Sequence, residues 1–97
     1  MGMLEMLGLK SKDPKETLRK SLHKEFKDVA LQAIKDFGDD EMTGGLLVQA
    51  AIGNFYQGMK KPESVTMGRL AYGVTESEYL KILDEECTKT LKKYLVM

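Results

Sequence analysis

The stretch MTGGLLVQAAIGNFYQGM, residues 42–59, holds no charged side chain, although 31% of the chain is Asp, Glu, Lys or Arg. Its length approaches the roughly 20 residues that a helix needs to cross a bilayer. Its composition argues against a span, because Gln49, Asn54, Gln57 and several glycines dilute the apolar residues. We therefore interpret the stretch as the core helix of a small domain and predict no transmembrane segment.

On a helical wheel, the apolar residues of this stretch cover roughly two-thirds of the circumference. They are Leu46, Leu47, Val48, Ala50, Ala51, Ile52, Phe55 and Met59. So wide an arc is typical of a helix buried on several sides, either at the centre of a bundle or in a dimer interface. Asn54 falls inside the arc, and if buried it needs hydrogen-bond partners, since an unpaired amide costs on the order of 1–3 kcal/mol.

Small residues recur along one edge of the predicted helix and allow a neighbouring backbone to approach closely. Together with adjacent residues they define a predicted interface, which comprises Gly44, Leu47, Ala51, Asn54, Phe55 and Gly58. Ordinary packing within one chain is the alternative use of the small residues. Because two-fold symmetry is the commonest form of self-association, we expect a homodimer.

Upstream of this stretch, the sequence predicts a long amphipathic helix over about 13–37. Asp13 is a typical N-cap, and Pro14 suits the first helical position. Apolar residues then recur in steps of three and four from Leu18 onwards, and Gly38 is a natural stop.

Downstream, Thr75 and Glu78 form a capping box that opens a last helix, and Gly73 closes a short helix before it. Asp39 or Asp40 is expected to cap the helix that contains the uncharged stretch. No segment alternates as a strand does. The predicted fold is all-α: a small helical bundle of three long helices (about 13–37, 40–60 and 75–95) and one short helix (about 63–71), which dimerisation could complete.

The length of 97 residues predicts a single helical domain over 13–97, preceded by an N-terminal apolar and basic segment, residues 1–12. Basic and acidic residues number 15 each, so net charge provides no general attraction to nucleic acid or acidic lipid. A single cysteine and the lack of a recognisable secretory signal favour a cytoplasmic location.

The segment of residues 1–12 is apolar at first and then basic. Its apolar residues are Met1, Met3, Leu4, Met6, Leu7 and Leu9, and Lys10 and Lys12 follow them. Such a segment can contact a membrane surface, but Met-rich segments also pack adaptably against protein. We favour docking onto the same chain or onto a dimer mate over contact with a membrane.

The residues that catalysis or metal binding requires are poorly represented. His23, the only histidine, lies among lysines and an arginine, a pattern typical of a solvated basic face. Cys87 falls on the apolar stripe of the last helix, which favours a buried thiol over a nucleophile. The consecutive acids of residues 84–86 fan out around a helix and cannot converge on one ion. We predict no catalytic residue, no metal site and no cofactor, and therefore no enzyme.

Two features suggest nucleic-acid binding. Basic residues on the first helix could follow phosphates, and the candidate contacts are Lys15, Arg19, Lys20, Lys24 and Lys27. Residues 63–83 resemble a degenerate helix-turn-helix, with Tyr79 and Ile82 as buried points of its second helix. The turn is two residues shorter than the motif requires, and Glu76 and Glu78 at the start of the second helix would repel phosphates.

These patterns lead to three functional hypotheses. The first is a non-enzymatic protein-interaction or assembly module that self-associates. The second is a DNA-binding regulator that uses the basic first helix and the degenerate helix-turn-helix. The third is a small-ligand binder with an apolar pocket around Asn54. We rank a protein partner above nucleic acid, and nucleic acid above a membrane surface.

Overall fold

The computed structural model describes residues 13–39 and 42–94, which form four helices. They are α1 (Pro14–Phe37), α2 (Gly44–Met59), α3 (Pro62–Tyr72) and α4 (Glu76–Tyr94). The described residues contain no strand, so the predicted all-α bundle of three long helices and one short helix is confirmed. The predictions for residues 1–12 and for Asp40 lie outside the described residues.

Local signals place most of the helix ends. The Asp13 carboxylate accepts hydrogen bonds from the backbone N–H groups of Lys15 and Glu16 at 3.1 and 3.3 Å, as an N-cap should. In the capping box of α4, the Thr75 N–H donates to Glu78 Oε1 at 2.9 Å, and the Glu78 N–H donates to Thr75 Oγ1 at 3.1 Å. The predicted caps at Asp13 and Thr75 are confirmed.

The end of α3 also follows the sequence. Gly73 has a φ of 71°, in the left-handed region that glycine favours, and its N–H bonds the carbonyl oxygen of Arg69 at 2.8 Å. This geometry stops α3 and turns the chain towards α4.

The second helix begins later than predicted. It starts at Gly44, so Asp39 does not cap it. The cause is the close approach of the chain to the end of α1, where a Cβ added to Gly44 would lie 2.6 Å from the carbonyl oxygen of Phe37. The helix therefore begins at the glycine that this close approach requires.

The core lies mainly between α1 and its two long neighbours, with which α1 makes its most extensive contacts. The buried apolar residues of α1 are Leu18, Leu22, Phe26, Ala30 and Ala33, and those of α4 are Tyr79, Ile82, Leu83 and Cys87. Phe26 meets Phe55 of α2 edge to face, with ring centroids 4.9 Å apart. Because Lys15 pairs with Glu78 while Arg19 pairs with Glu86, α1 and α4 run in the same direction.

The uncharged stretch is not the centre of the bundle in the single chain. Only Gly44, Val48 and Ile52 of α2 are buried, whereas Leu46 is 65% exposed and Leu47 is 39% exposed. The prediction of a helix buried on several sides is therefore wrong for one chain. A wheel shows which residues are apolar, but it does not show how many neighbours the fold supplies to cover them. Within residues 13–39 and 42–94, no helix is long and apolar enough to span a bilayer.

Candidate interaction surface

One side of α2 faces solvent without any charge. We call this side the α2 face; it consists of Leu46, Leu47, Ala50, Asn54 and Gln57, all exposed. The comparable outward side of α1 carries several lysines. An exposed helix side that combines two leucines with amides and no charge is typical of a surface that is covered in an assembly.

A groove runs beside this face, between α2 and α4. It has a volume of about 530 Å³, and its lining residues are Leu46, Gln49, Ala50, Gly53, Asn54, Tyr56, Gln57, Cys87 and Leu91. No lining side chain is charged. Asn54 is therefore exposed at the edge of a groove rather than enclosed in a core.

The thiol of Cys87 lies in the wall of this groove and is only 8% exposed, as predicted for a buried cysteine. Burial raises the pKa of the Cys87 thiol, and the carboxylate of Asp84 acts in the same direction. The thiol is held in its protonated, poorly nucleophilic form.

A polar contact closes one end of the groove. The Tyr56 hydroxyl donates a hydrogen bond to the Asp84 carboxylate, which raises the pKa of Tyr56. The ammonium group of Lys60 lies 5.1 Å from the centroid of the Tyr56 ring. The hydrogen bond between Tyr56 and Asp84 helps to fix the pairing of α2 with α4.

Three helical glycines of α2 have no close packing neighbour among the residues that the structure describes. A Cβ added to Gly45, Gly53 or Gly58 would meet no heavy atom within 4 Å. Each glycine inside a helix costs about 1 kcal/mol relative to alanine. The fold of a single chain therefore does not explain these glycines, whereas it does explain Gly44.

The predicted interface residues fall on different sides of α2. Leu47 and Asn54 lie on the α2 face, and Gly58 is half-buried. Gly44 and Phe55 pack against α1, and Ala51 is half-buried beside Val29 and Ala33 of the same helix. The wheel had grouped Leu46 and Ala50 with the buried arc, and the structure brings them beside Leu47 and Asn54 instead.

A buried carboxylate joins α1 to α4. Glu86 is 1% exposed; it accepts hydrogen bonds from Arg19 Nη1 and Lys89 Nζ, and it contacts His23 Nδ1, each at 3.1 Å. Burial alone would raise the pKa of Glu86, but the hydrogen bonds from Lys89, His23 and Arg19 outweigh it and lower the pKa.

The sequence carried a signal for this site that the prediction missed. Glu86 falls on the apolar stripe of α4, three and four positions after Leu83 and Ile82. A carboxylate at such a position has to be buried with partners. His23, interpreted as part of a solvated basic face, is one of these partners.

Several of the predicted nucleic-acid contacts are paired with acids of the same chain. Lys15 pairs with Glu78 at 3.9 Å. Arg19 pairs with Glu85 at 2.8 Å as well as with Glu86, and Lys24 pairs with Asp28 at 3.1 Å. Lys20 and Lys27 are exposed. The second helix of the degenerate helix-turn-helix buries Tyr79 and Ile82 at the predicted points, with an acidic first turn.

Among the residues that the structure describes, no three His, Cys, Asp or Glu side chains are grouped so that they could hold a metal ion. No protein-family model matches the chain, and neither does any curated protein or solved structure. The α2 face and its groove are therefore interpreted from their own chemistry.

Proposed function

We propose that the protein is a non-enzymatic assembly module that forms a homodimer through the α2 face. The observation that carries the proposal is the pair of exposed leucines, Leu46 and Leu47, on a helix that bears no charge along its length. A partner that covered this face would bury the apolar residues of α2 that the single chain leaves exposed. The helix would then be buried on several sides, as its wide apolar arc predicts.

The shape of the surface suits a second copy of the same chain. An interface around a two-fold axis brings the same patch of each copy together, so it must offer both a projection and a recess. The leucines of one copy provide the projection, and the groove beside Gly53 of the other provides the recess. With 16 residues, α2 is about 24 Å long, enough for both contacts to form at once.

The glycine positions support this arrangement. Gly53 lines the groove, and no atom of residues 13–39 or 42–94 packs where its side chain would be. A partner leucine seated there gives a reason for a residue that otherwise only weakens the helix.

The charge distribution also favours self-association over an acidic or basic partner. Residues that lie close to a two-fold axis meet their own copies, so a charged residue there would face a like charge and be repelled. The α2 face carries no charge and therefore avoids that repulsion. Its amides, Asn54 and Gln57, can donate and accept, so the same group can bond to its own copy across the axis.

Sedimentation equilibrium tests the proposal. We expect a mass of twice the 10.9 kDa of the chain at micromolar concentration, and a shift to the single-chain mass in a Leu47→Lys variant. Leu70→Lys is the matched control, because Leu70 is 80% exposed on α3, away from the α2 face. Helical circular dichroism checks that both variants fold. A wild-type chain that stays at 10.9 kDa at all concentrations, or equal effects of the two substitutions, would contradict the homodimer.

The rival use of the same groove is a small apolar ligand held near Asn54. The volume of about 530 Å³ lies within the range of small-molecule sites. Here Asn54→Leu would abolish ligand-induced stabilisation without changing the sedimenting mass. If the groove instead forms the homodimer interface, substitutions in the groove should change the sedimenting mass.

A further inference from the structure

A second recess lies at the end of the bundle where α1 and α4 begin. This cavity of about 300 Å³ is enclosed by α1, α3, α4 and the last residue of α2. Its apolar lining includes Leu18, Leu22, Met59, Met67, Gly68 and Tyr79. We call it the α1–α3 cavity.

The floor of the α1–α3 cavity is rigid. Leu18, Leu22 and Tyr79 are each 1% exposed. The Tyr79 hydroxyl donates to the carbonyl oxygen of Met59 at 3.1 Å, and the Tyr79 ring lies against the bare Cα of Gly68. These contacts hold α2, α3 and α4 around the floor of the cavity.

The mouth of the cavity is largely apolar, with Glu25 at its edge, and no described residue covers it. Met67 lines it and is 69% exposed, and Leu70 on the same helix is 80% exposed. A long, flexible methionine at the mouth can repack around an incoming side chain. An apolar recess with an apolar mouth is suited to bind apolar side chains.

We propose that the α1–α3 cavity binds the apolar residues of this chain's own segment 3–9. The segment MLEMLGL supplies methionine and leucine side chains, which match the apolar lining. A volume of about 300 Å³ takes a few side chains of a short segment rather than a folded partner. The contact is separate from the α2 face and does not depend on the homodimer.

The connection to α1 makes this contact local. Asp13 caps α1, and the cavity lining on the same helix extends from Leu18 to Glu25. Glu25 lies about 18 Å along the helix from Asp13, and the seven extended residues from Met6 to Asp13 span roughly 24 Å. A tether of this length gives an effective concentration in the millimolar range, which favours the segment over a free partner.

Charge complements the apolar match. Lys10 and Lys12 separate the apolar residues from α1. Glu25 lies at the edge of the cavity, and no ion pair joins it to another described residue. The ammonium group of Lys10 would come within reach of the Glu25 carboxylate when residues 3–9 dock.

Disulfide trapping tests the position of the segment. We expect Met6→Cys to form an intrachain disulfide with Met67→Cys under mild oxidation in a Cys87→Ser background. The matched control pairs Met6→Cys with Lys81→Cys, because Lys81 is exposed, lies near Asp13 and does not line the cavity, and we expect at least about tenfold less trapping there. Such bonds need Cα atoms within about 7 Å. Equal trapping in both pairs, or disulfides formed only between chains, would overturn the proposal.

Hydrogen exchange on the full chain provides a second measurement that needs no cysteine. Leu4→Asp with Leu7→Asp should make the amides of α3 exchange roughly tenfold faster, while those of residues 44–50 stay unchanged. Gly2→Asp with Ser11→Asp adds the same charge outside residues 3–9 and should leave α3 unchanged. Unaltered exchange in the first variant refutes docking. Binding of the wild-type chain to vesicles rich in phosphatidylserine, with no protection of α3, would assign the segment to a membrane instead.

Discussion

The guanidinium of Arg19 on α1 lies 3.1 Å from the carboxylate of Glu86 on α4, and that carboxylate is almost completely enclosed. Arg19, His23 and Lys89 all turn towards the same two oxygens. The side chains of Arg19, His23 and Lys89 are themselves partly exposed, so water reaches the outer part of the cluster. The cluster therefore links the two longest helices. The buried Glu86 carboxylate is stabilised by these three side chains rather than by water.

Glu86→Gln should destabilise the bundle by about 2 kcal/mol, because hydrogen bonds to a charged group are worth about 1.5–3 kcal/mol and its partners are partly screened by water. Urea unfolding followed by circular dichroism measures the change. Glu85→Gln is the matched control. In that variant Arg19 still pairs with Glu86, so we expect the free energy of unfolding to fall by at most about 1 kcal/mol. An equal loss in both variants would contradict the special role of the buried carboxylate.

Stability should also depend on pH through Glu86. Its pKa in the folded protein is lowered from 4.5, so the unfolded chain takes up the proton first as pH falls. The stabilisation is fully present above pH 4.5 and is lost as pH falls through the lower, folded pKa. Urea midpoints measured between neutral and acid pH should fall more steeply for the wild-type chain than for Glu86→Gln below this value. Parallel curves would show that Glu86 is not the group responsible.

Gly68→Ala should destabilise the chain by about 1–3 kcal/mol through overpacking, although alanine is the better helix former. The new methyl group would overlap the Tyr79 ring, which is fully buried and anchored through its hydroxyl. Thermal unfolding of Gly68→Ala and of Gly58→Ala makes the comparison. Nothing packs within 4 Å of the added group in Gly58→Ala, so we expect that variant to be neutral or slightly stabilised. A stabilised Gly68→Ala would mean that α3 does not pack on Tyr79.

Filling the groove at Gly53 should weaken the homodimer without unfolding the chain. In Gly53→Met the new side chain occupies the recess proposed for a partner leucine, and we expect the dissociation constant to rise at least about tenfold. Gly45→Met is the control, because Gly45 is equally free of neighbours and lies outside the α2 face. Sedimentation velocity over a concentration series measures both. Dimers of equal strength would place the interface elsewhere.

Local sequence was sufficient for most of the architecture. The caps at Asp13 and Thr75 and the stop at Gly73 act within a few residues of themselves, so these residue types identify where α1 and α4 begin and where α3 ends. The burial of Cys87 followed from the apolar period of α4 in the same way. The late start of α2 escaped prediction because it depends on contact between Gly44 and the end of α1.

Sequence by itself determined that the chain is all helical and that residues 42–59 bear no charge, because helix period, capping and composition are local properties. Tertiary structure alone decided which side of that helix is covered. The neighbours α1 and α4 bury Val48 and Ile52 and leave Leu46 and Leu47 in solvent. It also decided that Glu86 is enclosed, since Arg19 and His23 lie 67 and 63 positions away along the chain. The spacing of apolar residues along a helix indicates which of them favour burial. Only the arrangement of helices distant in sequence supplies the atoms that bury them.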